Sequence, residues 1–251
     1  MRPSQPSIFA AAATAYRDVA DALDAMRGLT LGTFLIVVGA EALNWALEKW
    51  VIPAGSLFGH QIMQIVISFL LTPFLIAIHR YVLRREITTR YVLEPSDRRF
   101  QLFFGWTVVF VVLATIPGLF VVGDAADQNW VLSVVSIALL IAFSIASVRT
   151  VILFPAIAVD APGATWRNAV SDTKGHGWYI FFLGMVVLVP LVIPVMIAGA
   201  ALLSVLGLVV GALLLAPFMC MVMIVGLAAM VAVASRLYER LGDRVNQPMP
   251  A

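Results

Sequence analysis

In so apolar a chain, chemistry has to come from a few polar residues. Glu41 is the one acid inside a long apolar run, and Asn44 follows three residues later. On a helix that spacing puts both side chains on one face. An ionisable group at membrane depth is a functional candidate by default, here as part of a small polar cavity or as a proton carrier. The plainer alternative is a protonated or water-linked carboxyl bonded to a neighbouring helix. A polar path across the spans would draw on Ser68, Thr72, Ser144 and Ser147 as well, which is a sparse set. The three histidines do not group. His60 and His79 bracket one apolar run, about 28 Å apart at 1.5 Å per residue, too far to share a metal. His79 and His176 fall on the same side, where a bis-histidine haem is geometrically open, but no third feature supports one. Asp160, Asp172 and His176 are the only nearby acid–base set. Cys220 stands alone in an apolar run, so neither an internal disulfide nor a thiolate–metal site can be built on it. No HExxH, phosphate-cradling glycine loop or GxSxG occurs. These residues point away from an enzyme and away from any metal or cofactor.

The elements that hold them follow from composition. The chain has 251 residues, of which 62% are hydrophobic and 12% charged. Soluble domains are about 45–50% apolar and about 25% charged. A soluble core of this size cannot hide so much apolar surface, whereas a bilayer can. About 20 apolar residues cross the hydrocarbon as a helix, and only helices satisfy their backbone there at this run length. The apolar runs 29–48, 60–82, 101–122, 130–152, 178–201 and 211–235 predict six spans in an all-α, polytopic transmembrane bundle. The stretch 178–235 is long for two helices and short for three. We expect two long, kinked ones, with Pro190 and Pro194 in the first and a turn at Gly199, Gly207 or Gly211.

All but Lys49 of the 16 Lys and Arg residues fall on one side of this six-span reading. The positive-inside rule then predicts N-in and C-in in a bacterial inner membrane. The outward segment 123–129 carries Asp124 and Asp127 instead. Trp50, Trp106, Trp130 and Trp178 fall near span ends, as an aromatic belt requires. No cleavable signal peptide is expected, and the first span should act as an uncleaved anchor. The net charge of +2 is too small to suggest a nucleic-acid partner.

The expected organisation is an amphipathic helix within 1–28, the membrane domain over 29–237 and a short tail over 238–251. In the stretch 7–27, Ile8, Phe9, Ala12, Tyr16, Val19, Leu23 and Met26 recur at helical spacing. Arg17, Asp18, Asp21 and Asp24 are expected on the opposite side. A lipid adsorber would be basic there, so docking on the protein's own inner face or on a partner is favoured. The inner loops are expected at 83–100 and 153–177. Arg80, Arg84, Arg85, Arg149, Arg167 and Lys174 are the candidate contacts to anionic headgroups or to other membrane-protein subunits.

Residues 149–178 hold the most distinctive local pattern: Arg149, Pro155-Ala156-Ile157, Asp160, Ala169, Thr173-Lys174-Gly175 and Trp178. Pro155 and Pro162 are expected to interrupt regular helix, with a short helix at 166–170 between them and Thr173. Over about 35 residues the pattern resembles the membrane domain attached to some bacterial glycerophosphodiester phosphodiesterases, and related stand-alone inner-membrane proteins of unknown function. The stretch His79-Arg80-Tyr81-Val82-Leu83 is similar to stand-alone members. The resemblance implies a multi-span inner-membrane domain. It does not bring the phosphodiesterase activity, which belongs to a separate soluble barrel that has no counterpart here.

The function expected on these grounds is non-catalytic: a scaffold, accessory or lipid-interacting component of a membrane complex. The alternative is a small transporter or lipid flippase with Glu41 in a polar path. Pro73 and Pro190 at matching places in two three-span halves suggest inverted repeats, but the loop lengths do not match.

Overall fold

The computed structural model describes residues 6–50, 57–120 and 130–248. Arg2, Asp124, Asp127 and the last two residues of the expected third span lie outside them. The elements are α1 (Ile8–Ala25), α2 (Arg27–Trp50), α3 (Leu57–Arg84), α4 (Arg98–Thr115), α5 (Trp130–Thr150), α6 (Leu153–Ala158), α7 (Trp166–Asp172) and α8 (Gly177–Leu241). Among the described residues no strand forms. Six helices among the described residues are long and apolar enough to cross a membrane, so this is a multi-pass helical bundle.

Local chemistry sets several of the ends. Ser7 Oγ accepts the Ala10 amide at 3.2 Å and starts α1. Asp97 accepts the Arg99 amide at 3.0 Å and starts α4. Thr165 accepts the Asn168 amide at 3.3 Å and starts α7. Each oxygen satisfies an amide that the first helical turn leaves open. Pro117 has no N–H to continue the α-helical ladder, so α4 tightens into a 3-10 turn over Ile116–Phe120. The Pro117 carbonyl then accepts the Ser136 hydroxyl of α5 at 2.8 Å. Regular helix breaks between Thr150 and Leu153, as expected, just ahead of Pro155. Pro155 itself sits in the first turn of α6, where a missing N–H costs nothing.

The long apolar stretch at the C-terminus is two arms, Gly177–Gly207 and Leu215–Leu241. They fold back at Gly207, whose φ of 75° and ψ of 169° only glycine adopts without strain. Close glycines let the arms meet. A methyl at Gly199 would lie 3.3 Å from Leu215, and one at Gly211 3.1 Å from the Leu203 Cα. The second arm is the most enclosed span, with 56% of its apolar window buried, against 6% for α5. The arm Leu215–Leu241 is therefore the centre of the bundle and α5 lies on its lipid-facing rim.

The amphipathic helix α1 packs along α8. Its buried stripe is Ala12, Ala15, Val19 and Ala22, continued by Met26 at the bend into α2. Two sequence expectations are corrected here. Phe9 is 75% exposed rather than docked, and Asp18 is 4% exposed rather than on the solvent side. Three alanines make the stripe thin enough for helix–helix contact, which rotates α1 toward Ala15 and Asp18 and away from Phe9.

Candidate functional site

α1, the connector 85–97, the segment 151–176 and the tail after Leu241 converge on one end of the bundle. At its centre, Asp18 takes two hydrogen bonds from Arg236 of α8, both at 2.7 Å. The Arg85 guanidinium stands 3.8 Å from the same carboxylate and over the Tyr81 ring. Arg236 also bonds Glu239 at 2.8 Å. One nearly buried acid thus joins α1, α8 and the end of α3. Geometry of this kind, with two parallel N–H···O bonds, is the strong form of an ion pair.

Arg80 and Arg84 serve α6. Arg80 Nε donates to Glu86 at 2.7 Å, and its Nη1 donates to the Ala158 carbonyl at 3.2 Å. Arg84 donates to the Val159 carbonyl. Guanidinium groups here meet the open carbonyls and the negative dipole end of a short helix. Asp160, at φ 52°, follows that end and lies 3.6 Å from Arg99. Arg149 and Thr173 clasp each other: Arg149 Nη1 donates to the Thr173 carbonyl at 3.0 Å, and the Thr173 hydroxyl lies 2.8 Å from the Arg149 carbonyl. The carboxylate of Asp172 accepts the amides of Arg244 and Val245 at 2.9 and 3.1 Å. The Gly163 amide donates to the Val245 carbonyl at 3.0 Å and seats the tail. The segment 149–178 is therefore largely a fastening.

Two tyrosines reach from this end into the spans. Tyr16 donates to the Val187 carbonyl at 2.5 Å, and Tyr91 to the Leu70 carbonyl at 2.8 Å. Val187 is three residues before Pro190, and Leu70 is three before Pro73. Proline weakens the carbonyl ladder just behind it, and each phenol lands there. Burial raises the pKa of both phenols above the ordinary 10, which keeps them neutral donors. Beside Tyr91, Leu29, Pro73, Arg80, Arg90, Glu94 and Phe100 help line a cavity of 280 Å³.

The structure separates the rest. His79 is sealed in the core, its Nδ1 2.8 Å from Ser235 Oγ. The Ser235 hydroxyl also lies 2.9 Å from the Val231 carbonyl one turn back. His176 instead faces the Lys174 carbonyl at 3.1 Å, and His60 is exposed at the far end of α3. Asp160, Asp172 and His176 each engage a different neighbour. Among the described residues no cluster of three or more His, Cys, Asp or Glu is placed to hold a metal. Glu41 is half-buried on α2 and stands close enough to Cys220 of α8 for the two to interact. Asn44 Oδ1 is buried with no hydrogen-bond partner. Thr72, Ser144 and Ser147 donate to carbonyls of their own helices at 2.8, 2.8 and 2.9 Å, so none is directed toward Glu41 by its bond. Arg167 lies over the Trp166 ring, and Lys174 is exposed.

Sequence reasoning misses Asp18 and Arg236, because helical periodicity alone puts Asp18 on the wrong face. The signal available is the alanine stripe that flanks it. The two tyrosines were detectable only through the prolines they serve. In comparison with known proteins, the chain matches no family model, no curated protein and no solved structure.

Proposed function

We propose that this is a non-catalytic protein of a bacterial inner membrane, N-in and C-in, acting as a scaffold, accessory or lipid-interacting component of a membrane complex. One observation carries the reading. Four segments far apart in sequence are tied into a single platform at the arginine-rich end, and the polar groups there are consumed in holding it. Arg80, Arg84, Arg85 and Arg149 all have internal partners. Arg167 and Lys174 point outward from α7 and its end, where a subunit or an anionic headgroup can reach them. The motif of residues 149–178 points the same way. Native gel electrophoresis of mild-detergent extracts of native membranes tests the reading. A complex of defined stoichiometry is expected, lost in the Arg167→Glu, Lys174→Glu double variant. A chain that leaves native membranes monodisperse and alone overturns it.

A second reading, a small transporter or flippase, is favoured by the unpartnered Asn44 Oδ1 one turn from Glu41. A buried polar atom without a partner is costly and calls for an explanation. Glu41→Gln in reconstituted vesicles decides this. Flux that survives the change, or no flux in the parent, removes it.

A further inference from the structure

A lateral groove opens where α1 bends into α2. It has a volume of 410 Å³, within the roughly 300–1,000 Å³ of small-ligand sites, and Leu23, Leu31, Phe34 and Met221 form its apolar wall. At its mouth, Arg27 Nε donates to Asp24 Oδ1 at 2.9 Å. Both side chains are open, 79% and 69% exposed. An exposed i,i+3 pair gains little from its own contact, so either member can take another partner at small cost. Depth matches a lipid. Arg27 begins the first span, while Leu31 and Phe34 lie about 6 and 10 Å further along it at 1.5 Å per residue. Charges thus sit at headgroup level and the apolar wall at acyl level.

We propose that this groove binds a zwitterionic aminophospholipid, its phosphate on Arg27 and its primary ammonium on Asp24. The site has no net charge, as the headgroup has none. Arg27 offers forked N–H donors that fit phosphate oxygens, and the Asp24 carboxylate only accepts, most strongly from a charged ammonium. An anionic glycerol headgroup offers Asp24 hydroxyl donors but no positive charge, so its net negative charge is left uncompensated beside the carboxylate. A choline headgroup carries its positive charge without an N–H. The groove deepens the lipid-interacting part of the reading above and rests on it, but it is measured on the purified chain alone.

The test is native mass spectrometry of the full chain released from vesicles holding equal amounts of phosphatidylethanolamine, phosphatidylglycerol and phosphatidylcholine. Retention of the ethanolamine lipid about tenfold above the other two is expected, equivalent to about 1.4 kcal/mol. Asp24→Asn should abolish the preference over choline, and Arg27→Gln should lower retention of all three. Leu31→Trp, which fills the groove without touching the charges, should lower retention as well. Equal retention of the three lipids by the parent overturns the site, as does a preference that survives both charge variants. Loss of the subunit complex with headgroup selectivity intact would sink the scaffold reading and leave this one standing.

Discussion

Asp18 shows how one side chain can hold a membrane protein's outer parts to its spans. It is 4% exposed, yet it faces two guanidinium groups. Removing one partner of a fully buried pair costs about 3–5 kcal/mol. The Arg236 side chain is 29% exposed and keeps Glu239, so Asp18→Asn should cost about 1–2 kcal/mol here. The expected result is a lower unfolding midpoint in detergent and faster proteolysis between α1 and α2; an unchanged midpoint would show that the pair is ornamental. Tyr16 adds a pH dependence. Its folded pKa lies above the ordinary 10 because burial disfavours the phenolate. Its contribution is therefore complete below pH 10 and is lost as pH rises through the higher folded value. Hydrogen exchange of α1 should be flat from pH 7 to about 10, after correction for intrinsic rates, and accelerate above that. Tyr16→Phe should remove the step and cost about 0.5–1.5 kcal/mol at all lower pH.

The element that most needs its residues is the segment between α5 and α8. The Arg149–Thr173 clasp closes it, the Asp172 carboxylate ties it to the tail, and Gly163 lets the tail lie flat. A methyl group at Gly163 would collide with the Arg244 and Gln247 carbonyl oxygens, which are backbone and cannot swing away. Gly163→Ala should therefore expel the tail while the spans stay intact. Carboxypeptidase digestion is expected to remove residues past Gly242 quickly in the variant and slowly in the parent, at nearly the same helical content. Equal digestion would mean that the tail is held elsewhere. Prolines show how far local rules reach. Pro117 ends an α-helix as its chemistry demands, whereas Pro155 is absorbed into the first turn of α6 because the chain has already turned at Val151 and Ile152.

At the scale of the whole molecule, the same platform bears on topology. The amphipathic helix, the connector 85–97, the segment 151–176 and the tail share one end, which six crossings require of them. Reporter fusions at residue 92, within 160–165 and at the C-terminus should all report the cytoplasm, with the opposite outcome for a fusion near residue 53. A periplasmic signal from any of the first three contradicts the N-in, C-in proposal. The sequence alone determines six apolar helices, their approximate bounds and the gathering of cations between them. Those properties accumulate along the chain: transfer of about 20 apolar residues into lipid needs no tertiary partner, and a charge's place follows from the number of crossings before it. Gly207 as the turn, the buried face of α1 and the Asp18–Arg236 contact across 218 residues were decided only by the tertiary structure. Each depends on which surfaces fit at close range, and helical periodicity carries no information about the shape of the opposing helix.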